Sequence, residues 1–307
     1  MAKTESTTGP NGAPAAADPG AAPEIEMNRM PFGRWFREIG WRHVIGVLAI
    51  LFAAFPVLYV ISASLNPLGT VASTKLIPTR ISLVNYQTLL SGARGPFLRW
   101  YLNTIIVCSI VAASQIFLSV LAAYAFSRFD FPGKRTINVV VISVQVVPPI
   151  TLLIPFFGLM VGLRLYNTYQ GLILTYMVFT LPYAIIMLTG YLNTLPRELD
   201  EAAKVDGTSS FGALWRVLVP ISVPGVVSVG IYTFMIAWNE YLFALTLTRT
   251  NSMRTVPIGI QLLMGQHSYE WNEMMAMSVL GSIPVILLFV FFQRYFIGGM
   301  TAGSVKN

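Results

Sequence analysis

At 307 residues, with 55% hydrophobic residues, only 11% charged and a mean hydropathy of +0.65, the chain holds far less charge than the roughly 25% of a soluble domain and reads as a multi-span membrane protein. Its net charge of +7 is not gathered into a basic cluster with interleaved aromatics, which argues against nucleic-acid binding. The single cysteine, Cys108, excludes an intrachain disulfide, and two distant histidines, His43 and His267, without H-E-x-x-H or metal-spaced cysteines, give no metal site.

Residues 1 to 26, rich in Ala, Pro, Gly, Ser and Thr, have the composition of a disordered tail. Residues 27 to 42 place Trp35, Phe36 and Ile39 against Arg34, Arg37 and Glu38, which predicts an amphipathic helix in the membrane interface. A spanning helix needs about 20 apolar residues. Six stretches of that length lack Asp, Glu, Lys and Arg: 43 to 74, 101 to 127, 136 to 163, 165 to 195, 217 to 239 and 274 to 293. The expected fold is therefore all-α with six transmembrane helices within residues 43 to 296, followed by a short tail from 297 to 307. With the N-terminus inside, thirteen lysines and arginines fall on the inner side and seven on the outer, so both termini are expected to be cytoplasmic.

The first span, about 44 to 65, contains Pro56, and Pro78, Ser82 and Asn85 read as turn and cap signals around short outer helices. The second, about 101 to 126, carries Ser119 and Ala123 at the spacing that lets helices approach closely. A short basic loop, FSRFDFPGKRT, follows. The third span, about 137 to 161, holds Gln145, Pro148, Pro149 and Pro155. So many helix breakers free backbone carbonyls, which a membrane tolerates beside protein or a water-filled cavity, and this suggests a pathway wall. The fourth span, about 170 to 193, contains Pro182.

The stretch from Arg197 to Pro224 is the longest charged interruption after the first span. Leu199, Ala202, Ala203 and Val205 are read onto one helical face and Glu198, Asp200, Glu201 and Lys204 onto the other, a short amphipathic helix. Gly207 can close it in the left-handed conformation, and Thr208 or Ser209 can cap a second helix through Phe211, Leu214 and Leu218. The fifth span, about 221 to 246, contains AWNEYLFAL, where an ionised Glu240 costs about 2.5 to 3.5 kcal/mol on insertion scales. Two roles stand open for Glu240: lining a pathway, or a structural interhelical hydrogen bond. A polar tip, MGQHSYEWNE, precedes the sixth span at about 274 to 293.

E-A-A-x-x-D-G with a proline thirteen residues on, here Glu201, Ala202, Ala203, Asp206, Gly207 and Pro220, resembles the EAA loop of bacterial ABC importer permeases. With Pro132, Gly133 and Lys134 of the basic loop, AWNE, TVPIGIQ from Thr255 to Gln261, and the terminal TAGSVK, residues 40 to 307 resemble the smaller permease subunit of maltose-type carbohydrate importers, with a type I permease architecture in the bacterial cytoplasmic membrane. The resemblance implies that the loop at 194 to 220 docks in a cleft of a separate ATPase subunit. It further implies a second permease subunit, two ATPase copies carrying ATP and Mg, and an extracytoplasmic sugar-binding protein, with no cofactor on this chain. Gly265, Gln266, His267, Ser268 and Tyr269 would meet the binding protein, and Thr301, Ala302, Gly303 and Ser304 would reach between the ATPases. Gln145, Asn239, Glu240 and Tyr241 fit a sugar path by residue type. The long N-terminal tail departs from the family.

The chain lacks a phosphate loop, since Gly133-Lys134 is followed by Arg135 and Arg128 stands where the first glycine would be. A secondary transporter using Glu240 leaves the EAA loop unexplained, and a membrane enzyme would need nucleophile and base pairs that are not seen. A permease for another small solute, such as a phosphorylated polyol, stays open.

Overall fold

The computed structural model describes residues 31–67, 80–264 and 270–302. The tail at 1 to 26, Pro78, Gly265 to Tyr269, Gly303 and Ser304 lie outside them. The chain divides into two compact units, Met1–Ala54 and Phe55–Asn307.

A short helix, Phe32–Trp35, passes through a π-helical turn, Phe36–Gly40, into α1 (Trp41–Ser64). Residues Gly33–Ser64 thus form one apolar helix of 32 residues. The amphipathic helix expected over 27 to 42 is, from residue 32 onward, continuous with α1. Gly40 does not break the helix at this junction but packs: a side chain there would meet the Phe36 ring at 2.7 Å. Arg34 and Glu38 pair on the exposed surface at 3.0 Å.

In the second unit, α2 (Val84–Leu90) precedes α3 (Phe97–Arg128), α4 (Lys134–Val144), α5 (Leu153–Gly162) and α6 (Tyr169–Asn193). Two short helices, α7 (Glu198–Val205) and α8 (Ser210–Ala213), lead through a π turn (Leu214–Leu218) and Val219–Ile221 to α9 (Val223–Trp238). The chain continues through α10 (Leu242–Leu247), α11 (Val256–Leu262) and α12 (Trp271–Ala302).

The core lies where α3, α6 and α9 pack together. Ser119 and Ala123 of α3 are buried, as their small-residue spacing predicts, and Ala123 shares a cluster with Ala184 and Leu188 of α6. Gln115 ties the two helices by donating from its buried amide nitrogen to the Met177 carbonyl at 2.8 Å and the Thr180 hydroxyl at 2.9 Å, polar bonds across a helix interface. Gly225 lets α9 approach α6, since a Cβ there would stand 2.6 Å from the Tyr191 ring. Cys108 is buried in the same core.

Among the described residues, four helices are long and apolar enough to cross a membrane alone, and two further pairs are bent, so the six expected spans appear as four to six. The third span is interrupted as its prolines predict: α4 and the segment Pro149–Gly162 meet at 94°. Among its residues α4 buries none. The fifth span, expected as one helix over 221 to 246, differs. Its helix α9 turns by 79° from Ser210–Ile221, stops at Trp238, and resumes only at Leu242.

Asn85 differs too. It sits inside α2 and donates to the carbonyls of Ser64 at 2.8 Å and Asn66 at 2.9 Å, fastening the end of α1 where a cap was expected. Ser82 does accept from the Val84 amide, at 3.2 Å.

Candidate functional site

The charged stretch folds as its local signals dictate. Acidic Glu198, Asp200 and Glu201 occupy the first turn of α7 and Lys204 the last, each sign complementing the helix dipole. Gly207 adopts φ +78°, the left-handed turn that ends the helix. Ser209 then caps α8, its hydroxyl accepting from the Gly212 amide at 3.1 Å. The result is helix, glycine turn, helix.

The faces of α7 depart from the expected division by charge. Ala203 and Asp200 are buried, whereas Val205 is 87% exposed. Helix geometry explains the correction: at about 100° per residue, Asp200 lies some 60° from Ala203, and Val205 lies on the far side. Leu199 packs on the apolar cluster with Leu192, Leu214 and Leu218, as expected. The exposed face therefore comprises Glu201, Ala202, Lys204, Val205, Asp206 and Gly207, with Phe211 and Pro220 also exposed. Of the two alanines, only Ala202 is on that face.

Asp200 forms an ion pair with Arg128 at the end of α3, Nε to Oδ2 2.7 Å, both side chains only 7% exposed. Tyr124 reaches the same carboxylate, its hydroxyl 3.2 Å from Asp200 Oδ1 and 3.1 Å from the Ser210 carbonyl. Arg128 also donates to the Leu195 carbonyl at 3.1 Å, and Ser127 donates to Asn193 at 2.7 Å. Sequence reasoning assigned no site role to Tyr124, Arg128, Asn193 or Asp200. The available signal was the i, i+3 spacing of Asp200 and Ala203 beside a basic residue at a helix end.

The second candidate region is the break between α9 and α10. Glu240 turns inward and caps α10: its carboxylate accepts from the Phe243 amide at 2.7 Å and the Ala244 amide at 2.9 Å. This is a structural role, a cap, and the Tyr176 hydroxyl of α6 also interacts with the carboxylate, the interhelical partner that was one of the two expected roles. On either side, Asn239 is exposed, with its amide on the Met235 carbonyl at 2.8 Å, and Tyr241 is half-buried against the core. Gln145 is exposed at the C-terminal end of α4, at the 94° bend. Among the described residues, Gln145 makes no hydrogen bond to the 239–241 break.

The residues expected to meet a binding protein lie outside the described residues, but the chain just beyond them is tied down: Arg94 pairs with Glu270 at 3.1 Å and Glu273 at 2.8 Å. Thr301 and Ala302 end α12. Among the described residues no group of His, Cys, Asp or Glu is arranged to hold a metal ion.

Residues 115–301 match the family model described as "Binding-protein-dependent transport system inner membrane component". Over 262 residues the chain is 36% identical to the trehalose/maltose transport system permease protein MalG of Thermococcus litoralis, covering 85% of this chain and 94% of that protein. It is also 36% identical, over 268 residues, to the sulfoquinovosyl glycerol transport system permease protein SmoH of Agrobacterium fabrum, covering 87% and 93%. Among solved structures, a chain of a bacterial ABC transporter involved in import of the acidic polysaccharide alginate matches with a TM-score of 0.72 at 23% identity, over 87% of this chain and 98% of that one.

Proposed function

The chain belongs to the family of binding-protein-dependent transport system inner membrane components, and from that premise we propose that it is one permease subunit of an ATP-driven importer that carries a sugar, a di- or oligosaccharide such as maltose or trehalose, inward. The observation that carries this reading is the exposed face of α7 with its glycine turn: Glu201, Ala202, Asp206 and Gly207 stand clear of the chain's own packing on a helix-turn-helix next to the bundle.

In this reading the face docks on a separate ATPase subunit, which binds ATP and Mg, and Glu201 meets a basic residue there. Two such ATPases, a second permease and an extracytoplasmic sugar-binding protein complete the machine. The α7–α8 end is cytoplasmic, and so are both termini. Closure of the ATPase pair draws the docked helices, the spans rock, and sugar passes inward by alternating access. Gln145 at the bend and Asn239, Glu240 and Tyr241 at the break are the candidates for the path. Glu240 acts there through the turn it caps, leaving Asn239 and Tyr241 to present polar and planar groups. The relatives' names span trehalose, maltose and a sulfoquinovosyl glycerol, so a glycoside with a polyol aglycone is the nearest alternative cargo.

Affinity purification of the tagged chain from membranes, followed by sugar uptake in vesicles supplied with ATP, tests the reading. Recovery of an ATPase and a second permease with sugar-dependent hydrolysis supports it. A chain that purifies alone, or a Glu201→Lys variant with intact sugar-stimulated ATPase activity and uptake, overturns it.

A further inference from the structure

We infer that Arg128 and Asp200 are positioning residues that carry the movement of the docking helix into α3, so that coupling depends on a buried pair that does not itself touch the ATPase. The inference rests on the coupling reading above.

An ATPase that moves α7 does work on the spans only through the contacts behind α7. On the apolar side these are Leu199 and Ala203, whose contacts are non-directional and slide. The polar contacts are those of Asp200 and, at the start of α7, of Arg197, whose guanidinium donates to the Ser127 carbonyl of α3 at 3.4 Å. The Asp200 carboxylate meets the Arg128 guanidinium at 2.7 Å and the Tyr124 hydroxyl at 3.2 Å, and both partners belong to the last turns of α3. Tyr124 also reaches the Ser210 carbonyl at 3.1 Å, so both helices of the docking hairpin are referred to one helix. Arg128 bonds the Leu195 carbonyl, which ties in the linker after α6. The pair is almost wholly shielded from water, where charge attraction is least screened. Two acidic residues adjacent in sequence thus point to different sides, Glu201 outward to a partner and Asp200 inward to the bundle.

α3 is the helix that α6 and α9 both pack against, so a pull on its end reaches the core of the bundle. A salt link that merely stabilised the fold would, when weakened, lower ATP hydrolysis and transport together. A transmitting link lowers transport for each ATP spent.

The test uses the full complex in proteoliposomes loaded with binding protein and sugar, measuring ATPase co-purification, ATP hydrolysis and sugar uptake. Asp200→Asn keeps shape and one acceptor but removes the charge; Arg128→Lys keeps the charge but loses the bond to Leu195. Both variants are expected to assemble with the ATPase, with sugar moved per ATP falling about tenfold for Asp200→Asn and less for Arg128→Lys. An unchanged ratio in both variants, or hydrolysis and uptake falling in proportion, overturns the inference. If both fail to assemble, the pair serves folding alone and the inference falls as well. Absence of an ATPase from the unsubstituted preparation would instead sink the functional reading, a separately visible failure.

Discussion

The carboxylates of Asp200 and Glu240 are both turned into the protein, and they are satisfied in different ways. Asp200 in the α7–α8 hairpin is balanced by Arg128 and Tyr124 from a helix distant in the chain, whereas Glu240 at the break in the fifth span is held mainly by two backbone amides three and four residues ahead of it, with the Tyr176 hydroxyl of α6 beside it. A contact between distant elements fixes how those elements sit relative to each other. A contact within one turn fixes only that turn. In the proposed coupling the first contact passes a displacement along, while the second holds an irregular piece of backbone in shape.

The contrast is broken most forcefully at Arg128. Arg128→Ala leaves Asp200 buried without its cation, expected to cost about 3–5 kcal/mol, and should appear as a large drop in the melting temperature of the detergent-purified chain. A cost under about 1 kcal/mol would mean that water reaches the pair. Glu240→Ala should follow, at about 1–3 kcal/mol for amides left without an acceptor, in the same assay. Glu240→Gln sharpens the comparison: the amide oxygen still serves one of the two N–H groups, so stability should fall less, while uptake changes if the shape of the break matters to the cargo. Loss of the assembled complex in Glu240→Gln would make the cap part of folding alone.

Smaller effects separate the two faces of the hairpin. Ser209→Ala removes the cap of α8 and should cost about 1 kcal/mol, read by thermal unfolding. Val205→Ser, on the exposed face, should change stability by under about 0.5 kcal/mol yet reduce recovery of the ATPase partner in pull-down.

Features of the hairpin set by neighbours in sequence are legible in the sequence itself. Gly207 and Ser209 act within their own turns, so residue type and position suffice. Pro148 and Pro149 announce the bend in the third span for the same reason, because proline removes a donor wherever it stands. Sorting α7 by charge misplaces Asp200, because it assumes that charged residues face water. Its partner lies at the end of another helix, and no local pattern marks that pairing. Val205 falls on the wrong face when apolar residues are grouped by type and not by angle. The break after Trp238 escapes notice because no glycine or proline stands between Trp238 and Leu242. The stop there is made by Glu240 itself, which reads in a span as an expensive charge and not as a cap.

The burial of Cys108, 1% exposed in the packed centre of α3, has a practical side. The chain's single thiol is closed off from water-borne maleimides, so the unsubstituted protein is its own blank for site-directed chemistry. A cysteine introduced at Ala202 or Asn239 would carry a fluorophore or spin label without background, and motion at the docking face and at the break could be followed in one molecule without first engineering a cysteine-free parent.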